Sequence, residues 1–324
     1  MPVVVNSNAS ATASSFNLSR ANDALRKSLE RLSTGKRINS AADDAGGLSV
    51  AYKLNSKMNR TSAIIQNSQN ALSYLQVQDS SLSAAGKIVD RMAELRTMAQ
   101  DITKNTGDIE NYSKEFVELQ SQLNQISQEK FNGISLFGTS SATAVAGGVL
   151  NTGTASFNSA KYNTLSRTLT THDSGSTDSG SVSINVINFN FMLSIGALAN
   201  NGASSKVNYN LGNISSNNGT TDGVNSNGYI DDIKNVSVSQ FIDIISRIAD
   251  MRAENGAEQN RVTQRIDLLQ SNLTNIEAAH GRIMDADIAL ESTRFARHNI
   301  LVQASASMTA QANQLSNVAL SLIG

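Results

Sequence analysis

The side chains that could do chemistry in this chain are few and scattered. His172, His280 and His298 are its only histidines, and none falls in the HExxH or HxH spacing that would bring two imidazoles to one metal ion. Asp43, Asp44, Asp285 and Asp287 come closest to a set of oxygen ligands. Each stands where a helix start is expected, and a carboxylate there satisfies free backbone N–H groups without an ion. The absence of cysteine excludes disulfides, thiolate nucleophiles and sulfur-ligated zinc. No GxGxxG, phosphate-binding loop or GxSxG elbow occurs. The expectation is a protein that is not an enzyme, with no catalytic residues, no cofactor and no bound metal.

Composition narrows the partners. The 324 residues leave room for two or three domains. A formal net charge of -1 offers no electrostatic footprint for nucleic acid or an anionic membrane. No stretch approaches 18 uninterrupted apolar residues, and the opening MPVVVNSNASATASS lacks the basic and apolar regions of a Sec signal. Neither a membrane protein nor a Sec precursor is expected.

The elements that must position these side chains fall into two similar ends and a different middle. From Thr139 to Tyr229, Ser, Thr, Asn and Gly make up 53 of 91 residues, with only six charges. The flanking stretches carry apolar residues at helical spacing and no proline after Pro2. Leu25, Leu29 and Leu32 share one stripe of a helix expected over about 15–33. A second helix is expected to start near Ser40 and Asp43, which fit the Ser-x-x-Asp capping pattern, and to run to about Ile102. At 1.5 Å per residue it would be roughly 85 Å long, too long for a compact globule. Helix resumes over 109–128 with Phe116, Leu119, Leu123 and Ile126, and Asn132-Gly133 reads as a type I′ hairpin turn. Alternation over 181–191 and 207–211 predicts strands of a thinly cored β insert. Val262, Ile266, Leu269, Leu273, Ile276 and Ile283 step by 4, 3, 4, 3 and 7, a heptad seam that needs a partner helix. A last helix, starting near 285–287, carries Ile300, Leu301, Ala304, Met308, Ala312, Leu315 and Leu322 on its apolar side. The fold class expected is mainly α, a long antiparallel helical rod or coiled coil built from both chain ends, with a small inserted β domain.

Three strings make a specific match: LERLSTGKRINSAADDAGGLSVA (29–51), SQEKFNG (127–133), and RIMDADIALESTRFARHNILVQASASMTAQANQLSNVALSLIG (282–324). They resemble the N- and C-terminal arms of bacterial flagellins, over about 135 residues at the start and 85 at the end. The resemblance implies a structural subunit that is exported and self-assembles into the flagellar filament for swimming motility. In that layout, 1–42 and 285–324 are assembly helices of an inner tube, 43–138 and 230–284 the two halves of a helical rod domain, and 139–229 a surface-exposed β-rich insert. The implied partners are further copies of the chain in a homo-polymer, a flagellar export chaperone, and cap and junction proteins. The implied location is extracellular, in the bacterial flagellum. Candidate assembly residues are Leu25, Leu29, Leu32, Ile300, Leu301, Met308, Leu315 and Leu322.

The string IVDRMAELRTMAQD (88–101) resembles the segment that the innate immune receptor TLR5 reads on many flagellins. Arg91, Glu94 and Leu95 match the pattern, Glu115 matches it loosely, and Ala93 departs from it. A hook-filament junction protein, which shares the terminal helices, is one alternative. A secreted coiled-coil adhesin or receptor ligand is another.

Overall fold

The computed structural model describes residues 8–138, 150–151, 166–172, 181–198, 207–211, 229–230 and 232–323, and for 150–151, 190–191, 196–198, 207–210 and 315–323 the backbone only. Long helices dominate. They are α1 (Ala9–Thr34), α2 (Ala45–Met98), α3 (Thr106–Ser127), α5 (Val238–Met284) and α6 (Ile288–Ile323). Contacts divide the chain into two compact units, one of residues 1–59 and 272–324, the other of 60–271.

In the first unit α1 packs along α6. The start of α1 is six residues earlier than its apolar stripe suggests, because the side chain of Asn8 accepts from Ala11 N and caps it. Asn8 also donates to Ala312 O at 2.8 Å, fastening the beginning of α1 to α6. Gly35 ends α1 in the left-handed conformation at φ 70°, where its N–H reaches Arg31 O. The chain then forms a short bridge with the end of α5: Arg37 N donates to Met284 O at 2.6 Å and Ala286 N to Gly35 O at 2.9 Å. Ile38, Ala51 and Met284 form a small buried cluster under this bridge, with Leu48 and Ile283 against it. α2 begins later than the capping pattern predicts. Ser40 to Asp43 is a turn, and Asp44 takes the capping role by accepting from Gly47 N at 2.8 Å.

The second unit is a helical seam with small sheets attached. Leu75, Leu82, Val89 and Leu95 of α2 are fully buried, as are Phe116 and Leu123 of α3 and Phe241, Ile244 and Val262 of α5. Along α2 and α3 these positions recur every six or seven residues, about two helical turns, which puts them on one apolar stripe of each helix. Phe116 and Phe241 meet edge to face with ring centroids 6.1 Å apart. A capping box of Asn105 and Asp108 starts α3.

Four small sheets follow among the described residues. β1 (Lys130–Phe131) and β2 (Ile134–Ser135) form a hairpin, with Asn132 and Gly133 at φ 50° and 77°, as the Asn-Gly dipeptide predicts. β3 (Phe137–Gly138) runs parallel to β7 (Ile187–Asn188). β4 (Leu150–Asn151), β5 (Ser166–Leu169) and β6 (Val182–Asn185) form an antiparallel sheet, and β8 (Ser194–Leu198) pairs with β9 (Val207–Asn210). The alternation of Val182, Ile184 and Val186 does bury one face. It stops sooner than the sequence suggests, because Phe189–Met192 turns into the short helix α4. There Phe189 and Met192 are fully buried, and the Phe189 ring lies 4.8 Å from that of Phe137.

Candidate assembly interface

The pairing of α1 with α6 buries little apolar surface. Ser28 is the one buried residue of α1, and Glu291 and Ala312 are the buried ones among the described side chains of α6. The contact is polar where α1 ends and α6 begins: the Glu291 carboxylate lies 3.3 Å from Arg294 and 4.0 Å from Arg31. A buried carboxylate is tolerable when cations stand beside it. The apolar residues are left outside. Nine of the thirteen large hydrophobic side chains exposed among the described residues belong to this unit: Phe16, Leu29, Val50, Tyr52, Ile288, Leu290, Ile300, Leu301 and Met308. Exposure is 69% for Tyr52, 66% for Phe16 and Ile300 and 62% for Met308. So dense a set is more than the scattered surface hydrophobes of an isolated chain.

The candidate assembly residues divide accordingly. Leu29, Ile300, Leu301 and Met308 stand in solvent, and Leu25 and Leu32 are half-buried. The side chains of Leu315 and Leu322 lie outside the described residues. Sequence reasoning passed over Phe16, Ile288 and Leu290. Their signal is present, since each is a large apolar residue in a helical stretch, but it does not mark which side faces solvent.

The carboxylates singled out in the sequence serve helix ends and turns. Asp43 accepts from Asn39 N and Ser40 N, both at 3.2 Å, and pairs with Lys27 at 2.6 Å. The Lys27 ammonium, followed by the Ser40 N–H, holds its carboxyl down at about 2. Asp287 accepts from Ala289 N and Leu290 N, starting α6. Among the described residues no three His, Asp or Glu side chains gather as metal ligands. His280 lines an open cleft of about 590 Å³ with Tyr52 and Met284, whereas His298 is on α6.

On the second unit Arg91 bridges two helices. Its Nε donates to Glu115 Oε1 at 2.8 Å and its Nη1 to Glu94 Oε2 at 3.1 Å. The Glu115 and then the Glu94 hydrogen bonds raise the guanidinium further above its ordinary value. These three residues are surface-exposed and adjacent, but Leu95 lies fully buried beneath them in the seam.

Helical ends that keep apolar rows in solvent, joined through a strand-bearing middle, define a structural protein. The bacterial flagellin N-terminal helical region matches residues 5–142, and the bacterial flagellin C-terminal helical region matches 240–323. Together they take in more than two thirds of the chain, which belongs to the bacterial flagellin family and is a flagellar filament structural subunit. It is 28% identical to Flagellin A of Vibrio cholerae over 379 residues, covering 100% of both chains. It is 29% identical to Flagellin FlaB2 of Treponema pallidum over 329 residues, covering 99% of this chain and 100% of the other. A solved structure of a putative flagellar hook-associated protein from Vibrio parahaemolyticus shares the fold, at a TM-score of 0.52 and 14% identity over 75% of this chain and 100% of that one. No helix among the described residues is long and apolar enough to cross a membrane.

Proposed function

We propose that the chain polymerises through its two ends. Segments 1–42 and 285–324 act as the assembly helices of an inner tube, 43–138 and 230–284 as the two halves of a helical rod domain around it, and 139–229 as the surface-exposed insert. The observation that carries this reading is the row of apolar side chains left in solvent on α1 and α6, with Leu29, Ile300, Leu301 and Met308 among them. Burying each is worth roughly 1.5–3 kcal/mol. A few such contacts per copy add to the packing that holds the two terminal helices, since most helical stability in a protein comes from tertiary packing of an apolar face. Leu25, Leu32, Leu315 and Leu322 belong to the same contact.

Exposed apolar ends also favour aggregation before assembly. That supports export through the flagellar type III channel with a chaperone covering the C-terminal helix, and a final location outside the cell, where cap and junction proteins meet the growing end. The exposed Arg91, Glu94 and Glu115 support recognition of this patch by TLR5, with Leu95 supporting the helix from below rather than touching the receptor.

Seeded polymerisation of the purified chain, followed by electron microscopy and by limited proteolysis before and after seeding, tests the reading. Long filaments whose ends become protease-resistant are expected, and removal of residues 285–324 should abolish them. A chain that stays monomeric on seeds would point to a junction protein or a secreted ligand instead.

A further inference from the structure

β6 is held against α5 by side chains of the helix that reach strand and loop backbone. Asn185 donates its backbone N–H to Glu258 Oε1 at 3.0 Å and its side-chain Nδ2 to Glu254 Oε1 at 3.0 Å. One turn further along α5, Arg261 donates to Ser183 O, and Arg265 to Thr171 O at 3.0 Å. Two carboxyl groups one helical turn apart thus converge on a single asparagine.

Glu258 is only 7% exposed. The charged and titratable groups around it are Glu254 and Arg261 on α5 and Tyr74 on α2, with the Arg167 guanidinium of β5 lying 5.8 Å above the Tyr74 ring. None of them neutralises Glu258 directly. The Tyr74 hydroxyl donates to Ser135 O and Leu136 O, Arg261 is spent on Ser183 O, and Glu254 repels a second negative charge. Burial, helped by Glu254, pushes the Glu258 carboxyl up to about 7, against the lowering effect of the Asn185 N–H and of Arg261.

We propose that Glu258 in its protonated form fastens β6 to α5, and that loss of this proton to solvent opens the contact, so that the docking of the strand layer onto the helix is a proton-dependent clasp. In the neutral state the carbonyl oxygen accepts from Asn185 N–H and no buried charge has to be stabilised. In the charged state the Asn185 N–H and the nearby Arg261 guanidinium must offset both the burial of the carboxylate and the repulsion from Glu254, which they do only in part. The native carboxyl titrates at about 7, above its ordinary 4.5, so the stabilisation by the proton is complete only below about 4.5 and is lost as pH rises from there through about 7.

Backbone amide exchange of the full-length chain, followed by mass spectrometry on peptides spanning 182–188, tests this against Glu258→Gln. Comparison at matched pH cancels the intrinsic pH dependence of exchange. The two proteins should exchange alike at about pH 4, below the ordinary carboxyl value of 4.5, and the wild type at least tenfold faster than the variant at pH 9, with peptides from 82–95 in the α2 seam equal throughout. A wild-type to variant ratio that is the same at every pH overturns the proposal. Should the variant fold poorly, the ¹³C shift of the Glu258 carboxyl in the wild-type chain decides: a titration midpoint near 7 supports the clasp, and one at or below 5 overturns it.

Discussion

Asn255 of α5 donates its side-chain amide to Gln78 Oε1 of α2 at 2.7 Å, and both residues are buried in a seam lined mainly by Leu, Ile, Val, Met and Phe. The pair is fully used. Gln78 Nε2 donates to Leu136 O at 2.7 Å just after the hairpin, and Asn255 Oδ1 accepts from Gln259 at 2.6 Å. A bonded amide pair in a largely apolar seam permits few alternative alignments of the two helices, because a slip buries both amides unpaired. Asn255→Leu or Gln78→Leu alone should destabilise the chain by about 1–3 kcal/mol. The double variant should cost at least ~0.5 kcal/mol less than the sum of the two, as read from urea unfolding of the unassembled protein. Strict additivity would mean that the amides act independently.

Assembly should be sensitive to charge on the exposed face of α6 and indifferent to charge elsewhere. Ile300→Asp and Met308→Asp should each slow seeded elongation at least tenfold while leaving the far-ultraviolet circular dichroism unchanged. Gln122→Asp, on the exposed side of α3, should elongate normally. Equal slowing by all three would show that the contact lies elsewhere.

Two glycines inside helices should respond in opposite directions to the same substitution. A Cβ on Gly47 would run into the Asp44 carboxylate that caps α2 and would come within 2.9 Å of Ile38 Cδ1, whereas one on Gly256 meets nothing within 4 Å. Gly47→Ala should therefore cost about 1–3 kcal/mol through overpacking and a damaged cap. Gly256→Ala should stabilise by about 0.5–1 kcal/mol through helix propensity and a less flexible unfolded chain. Thermal unfolding of the two single variants makes the comparison.

Acid should erase the contribution of the turn before α2. The Asp43 carboxyl is held at about 2 in the folded chain, below its ordinary 3.8, chiefly by Lys27 and then by the Ser40 N–H. A depressed carboxyl stabilises the fold above its unfolded value and loses that contribution as pH falls through the folded one. Asp43→Asn should melt below the wild type at pH 6, and the gap should close between about pH 4 and 2. A gap that persists at pH 2 would assign the effect to the amide side chain rather than to the lost charge.

The sequence alone determined the helical ends, the strand-bearing middle and the family, because heptad spacing, caps and the Asn-Gly turn are local signals written in adjacent residues. Phe131-Asn132-Gly133-Ile134 needs no distant partner to specify its hairpin, and the spacing from Val262 to Leu269 already says which side of α5 is apolar. It could not say where α2 would be capped, since Ser40 and Asp44 are both acceptable and the bridge from Arg37 to Met284 settles the geometry in favour of Asp44. Nor could it reveal that α1 and α6 meet across Glu291, Arg31 and small residues, leaving Phe16, Ile300 and Met308 outside. Leu95 and Arg91 sit four residues apart in one matching string, yet one is in the core and the other in solvent. Periodicity gives the apolar side of a helix but not what covers it. Only the tertiary packing decides which apolar residues are buried within the chain and which are left in solvent.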